Sequence, residues 1–161
     1  MREEILALLE RDSRLTAEEI AVMLGRDAAA VADHIEAMRN EQIICGFNTL
    51  INWDKTDREY VTALIEVKVA PQRGQGFDKI AGRIYRFDEV KAVYLMSGGF
   101  DLTVMIEGKT IKDIAYFVSD KLAPLESVIS TATHFVLKKY KDHGVVLEKN
   151  PMQDERMIVS P

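Results

Sequence analysis

The apolar residues of this chain keep a helical period as far as Asn40, then switch to runs of strand alternation separated by single helices. No other feature restricts the fold as much, because a segment written in one period cannot bury its apolar side in the other. In "REEILALLERD", Ile5, Leu8 and Leu9 share a helical face. "LTAEEIAVML" opens with Thr16 and Glu19, the spacing at which hydroxyl and carboxylate satisfy each other's backbone amides. Ile20, Met23 and Leu24 supply its stripe. Gly25 permits the left-handed backbone that ends a helix, and Asp27 caps the next one. There Val31, Ile35 and Met38 recur at i, i+4 and i+7. Three short helices with a glycine turn before the third predict a helix-turn-helix.

After Asn40, "IICGFNTLINW" is β-branched and aromatic and reads as a short strand or wing, and "DKTDRE" (54–59) reads as a linker. "YVTALIEVKVA" (60–70) is a strand with Val61, Ala63, Ile65, Val67 and Val69 on one face. "PQRGQG" is a loop, and "FDKIAGRIYRF" a helix carrying Phe77, Ile80, Ala81 and Ile84. "VKAVYLMSGGFDLTVMIEG" is two strands broken at Gly98–Gly99. "TIKDIAYFVSDKLAPL" is a helix with Ile111, Ile114, Ala115 and Val118 inward, and a last strand runs from Val128 to Tyr140. This order is the split βαβ of ferredoxin-like folds. The chain is therefore predicted to be α+β: a winged helix-turn-helix over 1–52, a linker over 53–59, a βαββαβ domain over 60–149 and a tail over 150–161. Helices on one sheet face leave the other open and apolar enough to bury against a second copy, so a homo-oligomer is expected.

Charge separates the two halves. Residues 1–45 hold five basic and ten acidic residues, the whole net charge of −5, whereas the remainder is balanced at sixteen of each. One cysteine, Cys45, excludes an internal disulfide framework and a cysteine-based zinc cluster. No apolar run spans a membrane, and "MREEILALLERD" lacks the layout of a leader peptide. A cytoplasmic protein without membrane attachment is expected.

"DSRLTAEEIAVMLG" followed by "VADHIEAMRNEQII", then "VYLMSGGFDLTVMI" and "STATHFVLKKYK", resemble the Lrp/AsnC (feast/famine) family of transcriptional regulators over nearly the whole chain. The resemblance implies a winged DNA-binding head and a RAM- or ACT-like sensing domain. It also implies dimers that assemble further, and an amino-acid effector bound between dimers near the glycine–aspartate turn. On that basis the effector-site candidates are Gly98, Gly99, Asp101, Thr131 and Thr133. The same residues also suit a plain hairpin turn with a self-satisfied aspartate and ordinary strand threonines.

For double-stranded DNA the groove-facing candidates are Arg26, Ala29, Ala30, Asp33 and His34. Much DNA affinity comes from neutralising phosphates, yet residues 27–40 offer Arg39 against Asp27, Asp33 and Glu36. The family commonly has a serine cap and a midway arginine where this chain has Asp27 and His34, so a non-DNA-binding sensor on the same fold is the alternative. A sirohaem-decarboxylase-like enzyme is a more distant one. His34, His134 and His143 show no ligand spacing, and no nucleophile elbow or phosphate loop is present, so no catalytic residue, metal or cofactor is expected. Lys138, Lys139 and Lys141 read as edge protection on the last strand.

Overall fold

The computed structural model describes residues 1–70 and 76–148, which divide into two compact units, Met1–Ile51 and Asn52 onward. The expected loop at 71–75 and the tail over 150–161 lie outside the described residues.

The first unit is α1 (Arg2–Arg11), α2 (Ala17–Leu24) and α3 (Ala28–Asn40). The capping box forms as the spacing requires: Glu19 N donates to Thr16 Oγ1 at 3.2 Å, and Thr16 N donates to Glu19 Oε2 at 2.9 Å. Gly25 ends α2 at φ +62°, and Asp27 Oδ2 accepts from Ala30 N at 3.0 Å to start α3. Ile5, Leu9, Ile20, Ala21, Val31 and Met38 make the core, with Leu8, Leu24 and Ile35 packed at its margin.

Met23, expected inward, is 57% exposed, and Ala21 takes its place. The reason is angular. On a 100° wheel Ile20, Leu24 and Ala21 span about 100°, whereas Met23 lies about 60° beyond them, outside the sector that α1 and α3 cover. The segment after Asn40 also departs from expectation. Ile43 N and Ile44 N both donate to Met38 O, but residues 45–52 form no strand. Its β-branched and aromatic side chains favour a pleated surface, but a strand needs a partner edge, and none exists among the described residues of this unit.

The second unit carries β1 (Val61–Val69), α4 (Asp78–Ile84), β2 (Val90–Leu95), β3 (Leu102–Gly108), α5 (Ile111–Phe117) and β4 (Val128–Phe135). The sheet order is β2-β3-β1-β4, antiparallel throughout, the arrangement expected of βαββαβ. Ala63, Ile65 and Val67 of β1 and Leu102, Val104 and Ile106 of β3 face Ile80 and Ile84 of α4 and Ile114 and Phe117 of α5.

Two expectations need correction here. The inward residues of α5 are Ile114 and Phe117, while Ile111 is 58% exposed and Ala115 also faces solvent. A π-helical turn over Val118–Leu122 follows, and its wider winding brings Leu122 into the core, five residues after Phe117. The last strand stops at Phe135, not Tyr140, because its partner β1 runs out: Ala63 pairs with Phe135, and only Val136 N still reaches back, to Thr62 O. Beyond it Leu137 is 95% exposed, and β5 (Lys141–Asp142) and β6 (Val145–Val146) close a small hairpin at His143 and Gly144.

The uncovered face is mixed rather than uniformly apolar. Cross-strand partners share a face, so Ala92, Met105, Leu64 and His134 form one row, and Tyr94, Thr103, Glu66 and Ala132 the next.

Candidate functional site

The exposed side of α3 begins with Ala29 and continues through Asp33 and Glu36, while Ala30 and His34 are half-buried on its flank. Arg26 lies exposed in the turn and makes no ion pair among the described residues, whereas Arg39 is held by Glu36 at 3.4 Å. The Asp27 carboxylate already occupies a first-turn amide of α3, so the helix start is capped internally. Of the five DNA candidates, Arg26, Ala29 and Asp33 are open to a partner; Ala30 and His34 present only an edge. Val22, beside Met23 at the end of α2, is 83% exposed.

The second candidate lies at the β2–β3 turn. Gly98 has φ +132°, a conformation closed to side-chain-bearing residues. Asp101 binds the turn to the central strand twice, its N donating to Val67 O at 3.0 Å and its Oδ2 accepting from Val69 N at 2.7 Å, and closes the turn itself, its O accepting from Met96 N at 2.8 Å. One carboxylate oxygen thus fixes backbone geometry. Beside this turn is a notch of about 220 Å³, with Glu66, Lys68, Gly99, Phe100, Ser130 and Thr131 on its wall.

The structure therefore brings Gly99 and Thr131 together, with Gly98 and Asp101 shaping the turn behind them. Thr133 is not on that wall; it sits across from Ile65, two positions further along β4. The residues that sequence reasoning missed are Glu66 and Lys68, which the alternation of β1 places opposite its buried Ile65 and Val67. Glu66 also stands 3.3 Å from His134 Nε2. Among the described residues no group of three or more His, Cys, Asp or Glu is arranged to hold a metal. No helix of the described residues is long and apolar enough to cross a membrane.

Residues 62–146 match the family profile described as the Lrp/AsnC ligand binding domain, and residues 1–44 match that of a winged helix-turn-helix DNA-binding domain. The chain is 51% identical over 159 residues to the uncharacterized HTH-type transcriptional regulator YugG of Bacillus subtilis, covering 98% of this chain and 95% of that one. A Pyrococcus furiosus HTH-type transcriptional regulator is 30% identical over 138 residues, covering 86% and 90%. Among solved structures, E. coli AsnC shares the fold at a TM-score of 0.65 and 18% identity, covering 86% of this chain and 91% of that one. So does the Neisseria meningitidis regulator NMB0573 in complex with L-Met, at a TM-score of 0.70 and 19% identity, covering 88% and 90%. With both profiles matched in order along a chain whose two units have the corresponding folds, this protein belongs to the Lrp/AsnC family of helix-turn-helix transcriptional regulators with a ligand-binding domain.

Proposed function

We propose that this regulator takes a free α-amino acid into the notch between β1, β4 and the Gly98–Gly99 turn. The observation that carries the reading is the presence of both an acid, Glu66, and a base, Lys68, on the notch wall, beside Gly99. Lys68 would receive the ligand carboxylate and Glu66 its ammonium, each a charge-assisted bond, while Gly99 lets the ligand approach the main chain. Asp101 acts here by holding the turn against β1 rather than by touching ligand. The L-Met complex of the Neisseria relative supports an amino-acid effector for this fold.

The head would contact double-stranded DNA through Arg26 and the Ala29–Asp33 side of α3, and the open sheet face with Leu64 and Met105 would take a second copy, giving a cytoplasmic homo-oligomer that stacks further. The effector acts only if it prefers one arrangement of that assembly. The role is regulatory rather than enzymatic, in keeping with its relatives. The acid excess of residues 1–45 favours one rival, an amino-acid sensor that does not bind DNA.

Anisotropy titrations with duplex DNA from upstream of its own gene, and with random duplex, at about 50 and 200 mM salt separate the two. Binding that weakens steeply with salt and prefers the upstream duplex is expected. No binding at the lower salt leaves the sensor. Sedimentation of the same samples should show more than one chain per particle, and a monomer removes the assembly. Lys68→Ala should weaken amino-acid binding by about 10–100-fold, the worth of one charge-assisted bond. Calorimetry checks this, and an unchanged affinity places the effector elsewhere.

A further inference from the structure

A second cleft, of about 610 Å³, opens at the other end of the central strand. Its wall includes Arg58, Tyr60, Asp88, Lys91, Glu107 and Lys109. At strand rise, Tyr60 and Lys68 are roughly 26 Å apart, so this cleft and the notch are separate places on the domain.

Some of its charged groups are already engaged. The Tyr60 hydroxyl donates to Glu107 Oε1, and Lys91 Nζ donates to the Asp88 carbonyl at 3.2 Å. Glu89, beside them, is held by Lys121. Arg58 is positioned without an acid: its guanidinium carbon lies 4.3 Å from the Trp53 ring centroid and 5.8 Å from that of Tyr60. Burial, and then the bond to Glu107, holds the Tyr60 hydroxyl above its ordinary pKa, so it remains a donor at neutral pH.

Glu59 also lines the cleft, and among the described residues the Arg58 guanidinium, the Lys91 and Lys109 ammonium groups and the Glu59 and Asp88 carboxylates make no ion pair. A simple anion would gain the cations but meet Glu59 and Asp88, and a simple cation the reverse. A molecule bearing both charges satisfies the free groups of both signs. The volume lies within the range of metabolite pockets and leaves room for a long polar side chain.

We propose that this cleft is a second small-molecule site, taking a zwitterion of the α-amino-acid type with its carboxylate on Arg58 and its ammonium on Asp88. The site stands on its own geometry and needs nothing from the notch reading. Arg58 and Tyr60 lie in the stretch leading into β1, so an occupant pins the segment through which the second unit is entered from Ile51.

The test is calorimetry of the full chain with each of the twenty L-amino acids, followed by the best binder's amide and N-acetyl derivatives. Two molecules per chain are expected. Arg58→Ala and Asp88→Asn, each with an unchanged melting curve, should each weaken one class at least tenfold and spare the other. Arg58→Lys, which keeps the charge but loses the forked geometry, should fall between. Each derivative should fill that class at least tenfold more weakly. A single molecule per chain that survives both variants, or no uptake of any amino acid, overturns the second site. Binding lost in Arg58→Ala and retained in Lys68→Ala, with one molecule per chain, upholds this cleft and removes the notch instead.

Discussion

Ile65→Ala should destabilise the second unit by about 2–5 kcal/mol, the usual consequence of emptying a fully enclosed aliphatic site. Ile65 has no exposed surface and stands in the middle of β1, across from Val104 on one side and Thr133 on the other. Because β1 is bonded to both β3 and β4, a void beneath it weakens both ladders together with the seats of α4 and α5. Urea denaturation followed by circular dichroism reads the change as a lower midpoint. Met23→Ala is the counterpart: with that side chain 57% exposed, the shift should stay within about 0.5 kcal/mol. A large loss in Met23→Ala, or a loss under about 1 kcal/mol in Ile65→Ala, would contradict the assigned cores.

Reversing charge on α3 should have the largest effect on DNA. Asp33→Arg with Glu36→Arg removes two acids from the exposed side of the helix and frees Arg39, which Glu36 now holds at 3.4 Å. Each cation that reaches a phosphate releases condensed counterions, so affinity at about 50 mM salt should rise roughly 10–100-fold and the salt slope should steepen by about one to two. Glu10→Arg, an exposed acid of α1, controls for bulk charge and should do much less. Equal gains from Glu10→Arg would mean that α3 does not face the duplex. On the proposed function, the wild-type acids would leave each head a weak grip, and occupancy would then depend on several heads acting together.

Much of the fold was legible because its signals are local. The Thr16–Glu19 box, the Gly25 turn and the Asp27 cap each depend on residues within a few positions, and each forms as read. The alternation of Ala63, Ile65, Val67 and Val69 named the buried side of β1 correctly. Structure departs from spacing where neighbours in space decide. Met23 stands outside the core because the width of the covered sector is set by α1 and α3. The last strand is shorter than its composition suggests because its end is set by where β1 begins. Residues 45–52 carry strand-like composition but have no edge to pair with in their own unit.

The same division holds for the candidate sites. Linear spacing was enough to establish two units of different period, a helix-turn-helix followed by βαββαβ, and an acidic face on α3, since each is written within one turn or one strand. It could not show that Glu66 and Lys68 meet Gly99 and Thr131, or that Arg58 and Asp88 share a cleft. Those groups are distant along the chain, and only the pairing of β1 with both β3 and β4, driven by burying one apolar sheet face under two helices, brings them together.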